Sequence, residues 1–227
     1  MYDRYTDREQ AARATTDIIA DAIERRTDAG EQASLVVSGG SSPGRVFELL
    51  AERDLPWSNV HVTLSDERWV AADHGDSNEA MVRSQLLAGA AANAEFHPLY
   101  AEGVSIDERA EVLGDELRLM PFPFACSLLG MGEDGHFASL FPDADNLTEG
   151  LDADGSNIAI PVATAASPHP RISLTLAALS RSDVIVLLIF GERKLEVLKE
   201  ALADADAYPV GELLLQKRAP VKVLWAP

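Results

Sequence analysis

The stretch Asp183–Asp204, DVIVLLIFGERKLEVLKEALAD, decides the fold. Asp183 to Gly191 reads as a continuous apolar strand, the pattern of a strand covered on both faces. Gly191 interrupts the run, and the residues after it return to helical spacing through Leu195, Leu198 and Leu202. A doubly covered strand feeding an amphipathic helix is half of a βαβ unit. Working outward, the same unit recurs. Ser34 to Val37 is a strand followed by SGGSSPG and the helix GRVFELLAER, with Pro43 suited to its first turn. Val60 to Leu64 is a second strand, FACSLLG a third, NIAIPV a fourth, and VKVLWA the last. Between them lie helices predicted over residues 7–28, ending before Gly30, over DSNEAMVRSQLLAGA with Asp76 or Ser77 as cap, and within SIDERAEVLGDELRLM. The pattern predicts a doubly wound, mostly parallel α/β sheet with helices on both faces. With no repeat, linker or low-complexity tract to divide 227 residues, one domain over 1–227 is expected.

Composition narrows the partners. Thirty-seven acidic against 19 basic residues give a net charge of −18, which repels nucleic acid and anionic membranes. No apolar run spans a bilayer and MYDRYTDREQ lacks the features of a signal peptide, so a cytoplasmic protein is expected. Cys126 is the sole cysteine and reads as a buried structural thiol. Any small anionic ligand must be held locally, by a few cations and by oriented backbone N–H groups.

Ligands of such sheets sit beyond the carboxyl ends of the strands. Four strand-end segments are rich in chemistry. In SGGSSPG, Gly39, Gly40 and Ser41 precede a helix, where backbone N–H groups and the helix dipole favour an anion; a serine-capped tight turn is the plainer alternative. No lysine follows as a P-loop would require. SDERW places Asp66 and Arg68 after a strand, where Arg68 can clamp a phosphate or polarise a carbonyl and Asp66 can accept from sugar hydroxyls, unless the segment is only a solvated turn. LLGMGEDGHFASLFP, Leu128–Pro142, spells G-x-G-x-x-G, but Pro142 closes the segment before a cofactor-binding helix could develop, and Asp152 and Asp154 precede a strand instead of ending one. What remains is a glycine-rich loop presenting Glu133, Asp134 and His136, an imidazole able to take a proton near neutrality with a carboxylate to orient it. No second His or Cys lies at ligand spacing from His136, so no metal is expected. In GERK, Lys194 occupies a helical first turn, where a cation opposes the dipole unless it meets an anion. Arg171 flanks the same strand from the other side, and His169, between Pro168 and Pro170, is expected to line the same mouth. His61, His74 and His97 have no comparable company and read as structural or solvent-facing.

VSGGSSP, LSDERWV with DSN downstream, LLGMGEDGHFASLFP, PRISLTLAAL and GERKLEVL together resemble, in order and spacing, the 6-phosphogluconolactonase family over nearly the whole chain. Glucosamine-6-phosphate deaminases look like relatives, but they follow the histidine with an F-N-E-P-like stretch, where this chain has Ser139, Leu140, Phe141 and Pro142. The resemblance implies a Rossmann-like fold of the sugar-phosphate isomerase type that hydrolyses 6-phospho-D-glucono-1,5-lactone to 6-phosphogluconate in the oxidative pentose phosphate pathway, with no metal or organic cofactor and a phosphosugar lactone as its partner. It implies His136 as general base, Asp134 as its orienting group and Arg68 as stabiliser of the developing oxyanion. The 6-phosphate is expected on Gly39, Gly40 and Ser41, with Arg171 and Lys194 as counter-charges and Asp66 and Asn78 as positioning residues. Ser42 stands where threonine is commoner, and His169 takes a lysine's place in the approach to PRIS. The oligomeric state is left between a monomer and a weak dimer.

Overall fold

The computed structural model describes residues 2–227. The strands are β1 (Asp3–Arg4), β2 (Ala33–Val37), β3 (Val60–Leu64), β4 (Asp66–Arg68), β5 (Glu95–His97), β6 (Cys126–Leu129), β7 (Ala159–Val162), β8 (Arg171–Leu174), β9 (Ile185–Phe190) and β10 (Val221–Ala226). The helices are α1 (Arg8–Asp28), α2 (Gly44–Ala51), α3 (Asn78–Gln85), α4 (Ile106–Leu117), α5 (Leu147–Leu151), α6 (Leu176–Leu179), α7 (Glu192–Ala203) and α8 (Pro209–Leu215).

Seven strands form one sheet in the order β1-β10-β9-β6-β2-β3-β5. Every pairing in it is parallel. Its central strands β2, β3 and β6 are buried along their length, and β9, as the sequence pattern requires, inserts the apolar Ile185 to Ile189 between two helical layers. From β2 the chain steps outward through β3 to β5, and from β6 it steps the opposite way through β9 to β10. Right-handed crossovers in opposite directions put their helices on opposite faces. Accordingly α1 packs with α2, while α7 packs with α8.

The helices start where the sequence marks them. Asp7 caps α1 by accepting from the Gln10 N–H at 2.8 Å. Ser77, not Asp76, caps α3. Ser105 and Glu108 close a capping box on α4. Pro43 occupies the N-cap of α2. Cys126 is buried in β6, and burial pushes its thiol up to about 12.

The short elements β4, β5, β8, α6 and α8 are absent from the sequence reading, and three further features depart from it. Asp3–Arg4 is a strand, so the first strand precedes α1 and does not begin near residue 34. The stretch after Pro142, expected to hold no helix, contains the one-turn helix α5. NIAIPV belongs to a second, antiparallel sheet, β4-β8-β7, and not to the central one. The two sheets meet at Ser65, whose N–H donates to Val37 in the first (2.8 Å) and whose carbonyl accepts from Leu174 in the second (2.8 Å).

Candidate active site

The site lies where the winding reverses. β2 and β6 are neighbours in the sheet but lead in opposite directions, so their outgoing loops diverge and leave a crevice at the carboxyl edge. The Ser38 N–H still bonds Leu128 at 3.0 Å, and beyond it the loops part. The resulting cleft, about 390 Å³, is lined by Gly39, Gly40, Ser41, Asp66, Arg68, Asn78, Asp134, His136, Arg171 and Lys194, and also by Ser38, Ser42, Met131 and Phe141. Arg68, Arg171 and Lys194 face two carboxylates there, Asp66 and Asp134, so this patch of an acidic protein is locally cationic. The buried Ser38 hydroxyl has no hydrogen-bond partner among the described residues. Gly39 packs so closely on Asn78 that a Cβ would fall 1.9 Å from Asn78 Oδ1.

The loop after β6 is a turn folded onto its own histidine. The Gly132 N–H donates to the His136 carbonyl at 2.8 Å, and Gly135, at φ 75°, accepts from the Val210 N–H at 2.9 Å. His136 Nδ1 lies 2.6 Å from Asp134 Oδ1. A carboxylate so placed accepts from Nδ1–H, which leaves the other ring nitrogen, Nε2, with its lone pair. Burial acts to raise the Asp134 carboxyl, but the His136 hydrogen bond and charge outweigh it and hold the group below the usual carboxylate value. The imidazole rests against Phe141, centroids 4.1 Å apart. Ala138, on the cleft wall, has φ 47°, a left-handed conformation uncommon for a residue with a side chain. No helix opens at these glycines, so the dinucleotide spelling is a coincidence of spacing.

The second sheet supplies the guanidinium groups. Arg68 and Arg171 are directly opposite in the β4–β8 ladder, an arrangement of like charges that costs stability unless anionic groups answer it. Arg68 donates to Asn78 Oδ1. Arg171 Nη1 lies 3.5 Å from Asp66 Oδ2, its Nε donates to Ser167 Oγ at 3.0 Å, and it stacks over Phe141. Burial lowers the Arg171 pKa, Asp66 opposes that and Arg68 adds to it. Asp66 also accepts from Ser65 Oγ (2.8 Å) and Ser139 Oγ (2.6 Å). Glu67, fully buried, accepts from the N–H groups of Arg68 (2.7 Å), Asn78 (2.8 Å) and Glu79 (2.7 Å) and from Ser77 Oγ (3.1 Å). Burial raises the Glu67 carboxyl while these four donors oppose the rise. Its effect is to pin the N-terminus of α3, and with it Asn78, whose Nδ2 donates to the Asp66 carbonyl at 2.8 Å. Lys194 sits in the first turn of α7, its ammonium pushed down by burial against the opposing pull of Glu133.

Ten of the eleven predicted site residues thus converge. His169 does not line the cleft; its Nε2 lies 3.1 Å from Asp76 Oδ2, beside the His74 ring, and the carboxylate holds it to the neighbouring loop. His61 and His97 also have company that the sequence did not reveal: their rings stack, with Nδ1 of one 2.9 Å from Nε2 of the other. Phe141, Ser139, Glu67 and Ser38 also shape the site. Ser139 and Asp66 are 73 positions apart, and no local spacing signals that contact.

A family model described as glucosamine-6-phosphate isomerases/6-phosphogluconolactonase matches residues 6–225. The chain belongs to this family. Within the isomerase/6-phosphogluconolactonase family it is 43% identical to a 6-phosphogluconolactonase of Caulobacter vibrioides over 224 residues, 96% of this chain and 94% of the other. The crystal structure of a 6-phosphogluconolactonase from Shewanella baltica superposes with a TM-score of 0.95 at 36% identity, covering 100% of this chain and 97% of that one. A monomeric glucosamine-6-phosphate deaminase shares the fold, with a TM-score of 0.73 at 18% identity, covering 99% and 97%.

Proposed function

We propose that the protein is a 6-phosphogluconolactonase that hydrolyses 6-phospho-D-glucono-1,5-lactone with a water activated by His136, in the oxidative pentose phosphate pathway. The observation that carries the mechanism is the 2.6 Å contact between Asp134 and His136 Nδ1 inside a locally cationic cleft. With Nδ1 committed to Asp134, Nε2 takes a proton from water as the oxygen attacks C1. Arg68 stabilises the oxyanion that forms. The C1–ring oxygen bond then breaks, the imidazolium returns its proton to the departing C5 oxygen, and the new carboxyl group ionises and releases one proton to solvent. Gly39, Gly40 and Ser41 receive the 6-phosphate, with Lys194 and Arg171 as counter-charges, and Asp66 and Asn78 position the sugar. Substrate chemistry needs no covalent nucleophile, because an activated ester yields to water directly.

Ring opening by a deaminase calls for a further acid. The segment after His136 carries Ser139, Leu140, Phe141 and Pro142, and the cleft carboxylates, Asp66 and Asp134, are both engaged. The test is proton release in weakly buffered solution from freshly prepared phosphogluconolactone. Acceleration over the spontaneous rate that disappears in His136→Ala, with phosphate still bound, is the expected result; no acceleration by the wild-type protein refutes the activity, and retained turnover in the variant refutes the base.

A further inference from the structure

At the far edge of the central sheet, β5 pairs with β3 in a register that sets His61 opposite Glu95 and Thr63 opposite His97. Residues opposite one another share a face, as do residues two apart on one strand. His61, Glu95 and His97 therefore project to the same side of two adjacent strands, fixed by main-chain hydrogen bonds and not by a flexible loop. Thr63 Oγ1 donates to the His97 carbonyl at 2.9 Å and holds that register. The polar atoms converge: His61 Nδ1 to His97 Nε2 is 2.9 Å, and Glu95 turns one carboxylate oxygen to each ring, Oε2 at 3.6 Å from His61 Nδ1 and Oε1 at 3.7 Å from His97 Nε2. A tetrahedral zinc ion with ligands at about 2.0–2.1 Å demands edges of about 3.3 Å.

We infer that His61, Glu95 and His97 form a zinc site that clips the edge strand β5 to β3, separate from the catalytic cleft. Two imidazoles and one carboxylate are a borderline nitrogen and oxygen donor set suited to Zn²⁺. At present the two rings share one hydrogen between Nδ1 and Nε2; metal binding moves it to the outer nitrogen of the donor ring and frees both facing lone pairs, with no net change of protonation. Glu95 is exposed and gives the ion its entry path, while His61 is buried and anchors it. The fourth position is left to water. None of the three residues lines the cleft, and His61 precedes Asp66 by five residues, roughly 16 Å along extended chain. The other histidine cluster, His74, Asp76 and His169, is poorer: His74 Nδ1 already accepts from the Asp76 N–H at 3.1 Å, and it stands 3.9 Å from the Asp76 carboxylate.

The test uses untagged full-length protein stripped with a chelator and then dialysed against micromolar Zn²⁺ in a phosphate-free buffer. Wild type and His169→Gln are expected to bind one zinc per chain, and Glu95→Gln and His97→Gln to bind it at least ten-fold more weakly. A rise in melting temperature on zinc addition should vanish in Glu95→Gln. Should His97→Gln fail to fold, the exposed Glu95 position decides alone. The inference is overturned if wild type binds no zinc, if Glu95→Gln binds it as tightly as wild type, or if His169→Gln is the variant that loses it.

Discussion

Gly132 has room for a hydrogen and nothing larger: a Cβ there would stand 2.3 Å from both Asp134 Oδ1 and His136 Nδ1. Gly132→Ala must therefore push the pair apart, and a fall in kcat of at least 100-fold with phosphate binding retained is expected from steady-state kinetics. His136→Ala should cost about 10²–10⁴ in kcat, the usual worth of a positioned general base. Asp134 provides a test in pH. Its folded-state pKa is depressed, chiefly because the bond to His136 overcomes burial, so its contribution to stability is present above the unfolded value of about 3.9 and is lost as pH falls through the folded value. Asp134→Asn should be less stable than wild type at pH 7, and the gap should narrow below about pH 4 in denaturant titrations. The sequence exposed this pair because Asp134 and His136 lie two positions apart in one glycine-rich loop, where proximity is local.

At the scale of elements, β4 and α3 are joined by one buried carboxylate. Glu67→Gln replaces an acceptor oxygen with an NH₂ facing backbone donors, and a loss of roughly 2–3 kcal/mol is expected from chemical unfolding, with Asn78 displaced and KM raised. This role was hidden in the sequence. Glu67 stands in the SDERW segment beside Asp66 and Arg68, but its partners are the N–H groups that α3 leaves unpaired at its start. The short strands of the second sheet were also hard to read: β4 has three residues and β8 four, too few for alternation to register, and their pairing is long-range. By contrast β9 and α7 were legible because each buries an apolar set with its own period, 2 or continuous for the strand and 3.6 for the helix.

Across the whole molecule, core and site are separable. Phe47 is fully buried in α2 and lines no part of the cleft. Phe47→Ala should cost about 3–5 kcal/mol in urea unfolding while KM, measured well below the melting transition, stays near wild type. The alternation of strands and helices and the glycine-bounded Asp134–His136 loop were determined by the sequence alone, since each depends on residues within a few positions of one another. Only the tertiary structure decided that Arg68 opposes Arg171, that Asp66 meets Ser139, that His61 meets His97, and that His169 turns to Asp76 and away from the cleft. Those neighbours are set by strand register and sheet order, which arise from the packing of distant segments and leave no periodic trace along the chain.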